Sequence, residues 1–434
     1  MVRAVSCMVV AAALLSGKAA SAAPELSFER ALHQARQSNR SLGASRARLE
    51  QVRTTLSLAW SALFPVVTGQ GKYTRNNIEV SFPLTLGAGG PTETITLQPA
   101  NQFDGVLNFS APLIAPPAYE ALKASKAGVR AAQADYETSL NDVLYSVAQT
   151  FYTAAIADEL LAARRSSIDV ARATAQLAET RYAVGAVTKT DVDRAQLALV
   201  RAEQAERETR FSREQTYRAL ATLIQARGEF TVKPGTPHPP SPEVPSADRA
   251  LTLRPEFRAL ELTAASLALQ RGAAAWRWSP TLSAFGNVHV FNYDSFAQQR
   301  YTWAVGVELD WVLYDGGIRD AQRRQADAQA RETQIRGEIL RDAISDDLAN
   351  QQALLDTKHH AHDAAERQVA LAQETLGLVR TQYQAGTVAE IDLLRAQDDL
   401  TAAQEALAQA HLEVALADLA LRRAAGTFPG DAGL

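Results

Sequence analysis

The chain has 434 residues, with 44 Lys and Arg against 48 Asp and Glu for a formal charge of −4, and one cysteine, Cys7. That balance excludes a basic field for nucleic acid, and one thiol excludes a disulfide framework. No run of 18 or more apolar residues follows residue 22, which excludes a membrane-spanning helix but leaves open membrane-spanning strands, whose signal is much weaker.

Residues 1–22, MVRAVSCMVVAAALLSGKAASA, place Arg3 ahead of an apolar run from Ala4 to Leu15 and a small-residue site at Ala20, Ser21 and Ala22. This is the pattern of a secretory signal peptide cut after Ala22, with an apolar core too short to span a bilayer as a helix. Cleavage removes Cys7, Arg3 and Lys18, so the mature chain has no thiol chemistry and its charge moves to about −6.

Segments rich in Ala, Gln, Arg, Glu and Leu and nearly free of Pro and Gly run from Ser27 to Leu63, Tyr119 to Ala183, Thr188 to Ala226, Arg249 to Trp278, Ile318 to Ala385 and Val388 to Ala425. Apolar residues at spacings of three and four, such as Val147, Phe151, Ala154 and Ala155, predict helix. A 65-residue helix such as Tyr119–Ala183 is on the order of 100 Å long. No ordinary globular domain is that wide, so these segments read as long coiled-coil hairpins.

Between the helices the pattern changes to alternation. Val67 and Tyr73 alternate with Thr68, Gln70, Lys72 and Thr74, and Phe103, Leu107 and Phe109 alternate with Gln102, Asp104, Asn108 and Ser110. In YTWAVGVELDWVLYD the odd positions from Tyr301 to Leu313 are large and apolar, while Thr302, Gly306, Glu308 and Asp310 lie between them. Each pattern predicts a strand with one apolar and one polar face; a fourth strand, about Thr281 to Phe291, alternates less cleanly. The loops SFPLTLGAGGPTETIT and NYDSFAQQ pair the strands into β-hairpins at 65–113 and 281–313. On the polar face, Gly306 and Glu308 are expected to tolerate polar substitution.

The stretch from Arg181 to Glu203 returns between Thr381 and Gln404: Tyr182, Gly185, Val187, Asp191, Arg194 and Gln196 fall on Tyr383, Gly386, Val388, Asp392, Arg395 and Gln397 at one offset of about 200 residues. This duplication divides the chain into a first repeat at 23–232, a connector at 233–248 rich in proline, a second repeat at 249–428 and a tail at 429–434. In each repeat a helix ends near a glycine, Gly185 or Gly386, and another starts within a few residues, with Thr188 and Asp191, or Thr387 and Glu390, fitting a capping box. These are the tips of two helical hairpins. By that reading Asp191 caps a helix, whereas Asp392 lies too deep for the cap at Thr387.

Strands of this length match the 9 to 11 residues that a tilted strand needs to cross an outer membrane, and Tyr301, Trp303 and Trp311 suit its aromatic girdles. Four strands cannot close a barrel, and an open sheet edge is forbidden in lipid. The smallest closed membrane barrels have eight strands, so several chains must contribute.

The signal peptide, the two tandem repeats, the strand hairpins between long helices, the LYDGG exit at Leu313 to Gly317 and the Tyr, Gly, Asp, Ala pattern at each tip together resemble the TolC-family outer-membrane efflux proteins, or outer-membrane factors. The resemblance implies an α+β membrane protein that trimerises into a 12-stranded β-barrel continued by an α-helical periplasmic tunnel. It implies a passive channel of the cell outer membrane, embedded in its lipid and partnered by a periplasmic adaptor (membrane fusion) protein and an inner-membrane transporter. Efflux of small molecules and type I secretion of proteins both fit.

By the same resemblance Asp392 is the candidate pore-gate residue, with Asp191 at the matching place of the first repeat. Arg395 stands where a second acid is common, and Val388 where some members place a cation that clasps the neighbouring hairpin. The tips, with Gly185, Gly386, Val187 and Val388, are the expected adaptor-docking surface, and Glu308 and Asp310 the expected lumen-facing acids. KHHAHD puts His359, His362 and Asp363 on one helix face beside His360, read as a solvated patch, so no metal or other cofactor is assigned. No Ser/His/Asp arrangement, phosphate loop or zinc signature is present, so no catalysis is expected. The alternative is a periplasmic coiled-coil adaptor or structural protein of an export complex, but the lipoyl-like and small barrel domains rich in Gly and Val that normally follow an adaptor's hairpin are missing from this sequence.

Overall fold

The computed structural model describes residues 24–85, 92–233, 244–293 and 299–428; the signal peptide, the tail and most of the proline-rich connector lie outside the described residues. In chain order, strand β1 (Glu25–Leu26) precedes helices α1 (Phe28–Ser38) and α2 (Arg40–Ser61), strands β2 (Val66–Arg75), β3 (Val80–Thr85), β4 (Thr92–Gln98) and β5 (Asn101–Ile114), helices α3 (Pro116–Ala183) and α4 (Lys189–Ile224), and strand β6 (Thr231–Val232). There follow α5 (Ala247–Leu253), α6 (Pro255–Trp276), β7 (Thr281–Phe291), β8 (Tyr301–Asp310), α7 (Ile318–Gln384) and α8 (Glu390–Ala424). The chain forms two compact units, each drawing on both repeats: one takes the residues up to 40, 141–245 and those from 347 onward, the other 41–140 and 246–346.

In the first unit α1 buries Phe28, Ala31, Leu32 and Ala35, and Phe28 meets Phe151 edge-on at 5.5 Å between ring centroids. The helix predicted over Ser27–Leu63 is broken at Asn39, whose backbone is extended. The break frees two side chains to work on α4. Asn39 Nδ2 donates to the Leu223 carbonyl and Ser38 Oγ to that of Ile224, each at 2.8 Å. The last carbonyls of a helix have no partner within it, so these contacts satisfy the end of α4. β1 pairs in parallel with β6.

The second unit holds a four-stranded antiparallel sheet of order β2-β5-β7-β8. Its helix predicted over Arg249–Trp278 is broken at Arg254, because the residue before a proline, here Pro255, is pushed out of helical geometry. Register places Val67 opposite Phe109, Gly286 opposite Val305 and Ala284 opposite Val307, so one sheet face is apolar. That face is bare: Val305 is 73% and Val307 66% exposed. The other face is polar, with His289 Nε2 3.0 Å from Asp104 Oδ1 and Glu308 and Asp310 opposite Ser283 and Thr281.

Gly306 lies under a neighbouring side chain. A Cβ added there would lie 3.0 Å from two ring atoms of Phe285, its register partner. The ring covers the glycine, so a side chain there requires the Phe285 ring to shift by a few tenths of an ångström. The stretch expected as a loop between β2 and β5 carries pairing of its own, β3 with β4, with Phe82 opposite Ile95 and Ser81 opposite Thr96; β-branched Thr94, Ile95 and Thr96 favour extended backbone. Below β8, Asp315 Oδ2 accepts from the backbone N–H and Nε of Arg319, whose guanidinium lies 3.9 Å over the Trp278 ring. That knot starts α7.

Candidate functional site

The first unit carries both helical tips. α3 and α7 end alike. Gly185 N–H donates to Tyr182 O and Ala186 N–H to Arg181 O, both at 2.9 Å; Gly386 N–H donates to Tyr383 O at 3.1 Å and Thr387 N–H to Gln382 O at 3.0 Å. These are Schellman caps, and φ is +75° at both glycines, a conformation costly for any side chain with a Cβ.

The helices restart differently. At the first tip Thr188 Oγ1 accepts from Asp191 N–H at 3.3 Å, while Asp191 Oδ2 accepts from Thr188 N–H at 3.0 Å and Thr188 Oγ1 at 2.7 Å. The expected capping box is formed. The Thr188 hydroxyl, then its backbone N–H, holds the Asp191 carboxyl below the usual range, and Arg194 Nη1 lies 3.5 Å from it.

At the second tip the expected box of Thr387 with Glu390 is absent. Thr387 Oγ1 donates back to Gln382 O, and the N-cap is Ala389, which has no side-chain hydrogen bond to offer. The constant offset explains this: Ala389 is the counterpart of Thr188, and Asp392 of Asp191. Asp392 therefore sits in the first turn of α8 rather than beyond its cap. Asp392 and Arg395 are both exposed and, among the described residues, are not joined as an ion pair.

Glu390, in the place of Lys189, turns inward. It is 4% exposed, and neither carboxylate oxygen has a hydrogen-bond partner. Burial, and secondarily Asp191, hold its carboxyl above the usual range against the opposing pull of Arg181, Arg194 and the neighbouring Tyr383 hydroxyl, which is close to the carboxylate but outside hydrogen-bond geometry. Beside it Tyr383 is also 4% exposed with an unpartnered hydroxyl. The Arg181 guanidinium lies 4.2 Å over the Tyr383 ring, and its Nη1 donates to the Tyr383 carbonyl at 3.3 Å. Two turns deeper, Gln397 Nε2 donates to Thr174 Oγ1 on α3 at 2.9 Å.

The contact between tips through Arg181, Tyr383 and Glu390 was not among the candidate site residues; its only sequence signal is the acid standing where the first copy has Lys189. Val187 and Val388 are half-buried at their turns, and His359 and His360 are exposed.

A sheet with one bare apolar face, together with duplicated helical hairpins, defines a subunit of a membrane channel. The family of outer membrane efflux proteins matches residues 31–226 and 247–427, and the chain belongs to that family. It is similar to the outer membrane efflux protein BepC of Brucella suis biovar 1, 25% identical over 98% of this chain and 91% of that one. It is also similar to protein CyaE of Bordetella pertussis, 29% identical over 72% of this chain and 69% of that one. Its fold matches the CmeC outer membrane channel of Campylobacter jejuni with a TM-score of 0.76, at 18% identity over 92% and 85% of the two chains. The protein is a passive export channel of the outer membrane, reaching into the periplasm, and not an enzyme.

Proposed function

We propose that three copies close a common barrel and form the outer-membrane duct of a tripartite export assembly, fed by an inner-membrane transporter through a periplasmic adaptor. The observation that carries this is the four-stranded sheet, whose outer strands β2 and β8 lack outward partners among the described residues while one face is apolar and bare. Lipid satisfies no backbone N–H, so the edges must meet those of other copies. Three copies give the twelve strands that the family resemblance implies.

In this reading Glu308 and Asp310 face the lumen, and the tips, with Val187 and Val388, dock the adaptor. Asp392 and Arg395 set the field at the periplasmic constriction. Asp191 contributes less, being engaged with Thr188 and Arg194. The duct carries small molecules or proteins according to the pump it serves.

The test is a pair of variants assayed for the detergent-extracted trimer. Val307→Arg puts a charge on the apolar face at a cost of about 2 to 4 kcal/mol near the bilayer midplane and is expected to abolish the trimer. Glu308→Gln is expected to retain it. Equal behaviour of the two would overturn the assigned faces. For docking, Val187→Asp with Val388→Asp is expected to leave the trimer intact and abolish efflux; Gly185 and Gly386 are poorer probes, because their positive φ adds a backbone cost to a replacement that carries a Cβ.

A further inference from the structure

We propose that His362 and His411, with Glu366, form a binding site for a divalent transition-metal ion on the helices of the first unit. The sequence face of His359, His362 and Asp363 is not what the fold assembles. His362, on α7, meets His411 of α8 instead, with ring centroids 4.8 Å apart and planes tilted by 33°. One turn away Lys358 Nζ lies 2.7 Å from Glu413 Oε2, a pair that fixes the register of α7 on α8 at this level.

Three carboxylates surround the two rings. His362 Nε2 is 3.9 Å from Glu366 Oε1 and its Nδ1 is 3.7 Å from Asp363 Oδ1; ligand atoms of these three residues all fit within 4.8 Å of one another. On the far side His411 Nδ1 is 3.7 Å from Glu159 Oε1 of α3. These separations are too long for hydrogen bonds. Two donors about 2.1 Å from one ion stand roughly 3.4 Å apart in a tetrahedral site, so movements of a few tenths of an ångström bring His362 and Glu366 onto a common metal, and His411, whose ring lies against His362 but outside that cluster, joins them by turning its ring.

Charge points the same way. Lys358 and Glu413 neutralise each other, which leaves three carboxylates around two imidazoles, and a dication offsets most of that charge. Imidazole nitrogen with carboxylate oxygen suits Zn²⁺, Ni²⁺ or Cu²⁺, whereas Mg²⁺ and Ca²⁺ prefer oxygen alone. Asp363 lies on the ring nitrogen of His362 opposite Glu366, placed to orient that imidazole as a carboxylate does around metal-bound histidine, and Glu159 beside His411 Nδ1 leaves Nε2 of His411 to serve as the donor. The occupied site ties α7 to α8.

The experiment is calorimetric titration of the full chain, as the detergent-solubilised trimer without a polyhistidine tag, with Zn²⁺ alone. One ion per chain is expected. His362→Ala and His411→Ala should each weaken binding by about 10-fold or more, while His359→Ala with His360→Ala leaves it unchanged. If a histidine variant fails to assemble, Glu366→Gln, on the exposed flank, is expected to weaken binding similarly. Affinity that follows His359 and His360, affinity indifferent to His411, or no saturable binding would each overturn the site.

Discussion

The two helical tips are written in nearly the same residues and do different work. Tyr182 is 47% exposed and its copy Tyr383 only 4%. Gln196 bonds Glu179 within its own hairpin at 2.8 Å, whereas its copy Gln397 crosses to Thr174 on the other hairpin. The first tip closes on itself, through its capping box and internal bond. The second lacks the capping hydroxyl, buries an acid and leans on its neighbour. Shared sequence fixed the turn, which is local and needs only a glycine and a Schellman pattern. The roles of the side chains came from what each tip packs against.

The largest effect expected from this asymmetry is at the paired tyrosines. Tyr383→Ala removes a buried ring and should cost about 3 to 5 kcal/mol, whereas Tyr182→Ala should stay within about 0.5 kcal/mol, both read by denaturant unfolding of the trimer. A comparable loss at Tyr182 would mean that a second copy covers the first tip as Tyr383 is covered here.

Glu390→Gln comes next, relieving an unpartnered buried carboxylate by about 1 to 2 kcal/mol at neutral pH. The tips should also respond to pH with opposite sign. Glu390 is raised above its ordinary 4.5, so its contribution is complete below that pH and is lost as pH rises through the folded-state value. Asp191 is lowered below its ordinary 3.8, so its contribution is present above 3.8 and is lost as pH falls through the folded-state value. Hydrogen exchange measured separately at each tip should show the second loosening as pH rises above 4.5 and the first as pH falls below 3.8; parallel responses would break the distinction.

Exchanging the caps is a smaller test. Thr188→Ala should cost about 1 kcal/mol, and Ala389→Thr should gain about 0.5 kcal/mol, since Ala389 already holds the extended backbone of an N-cap (φ −79°, ψ 156°). Exchange protection of the first turns of α4 and α8 reports both. Smallest is ion selectivity. Asp392→Asn should lower the cation preference of the reconstituted channel modestly and Arg395→Ala should raise it, while Asp191→Asn changes it less than either. Reversal potential in asymmetric salt measures all three, and equal shifts for Asp191 and Asp392 would erase the predicted difference in their exposure to the pore.

Much of the architecture was legible from periodicity. Alternation located β2, β5 and β8, since a strand with one apolar and one polar face repeats every two residues, and the glycines marked both tips because a left-handed cap selects them. What escaped depended on partners distant in sequence. Nothing local to Asn39 says that the end of α4 needs its amide, and nothing local to Gly306 says that Phe285 lies across it. Thr387 was a decoy cap: it satisfies the spacing to Glu390, but the helix starts two residues later, in register with the first copy. Of the candidate site, Asp191 as a cap was readable from Thr188. The burial of Glu390 and the meeting of His362 with His411 were not, because both are set by how α7 and α8 lie together.

That the outer edges of β2 and β8 are unpaired among the described residues has a consequence in mass action. When three copies supply one another's missing hydrogen bonds, the stability of the sheet belongs to no single chain, and a tenfold fall in free-chain concentration lowers the ratio of trimer to free chain roughly 100-fold. Until closure, those edges will pair with any strand they meet. The yield of channel then turns on a race between two encounter rates, set by how many copies reach one patch of membrane within the lifetime of an open edge.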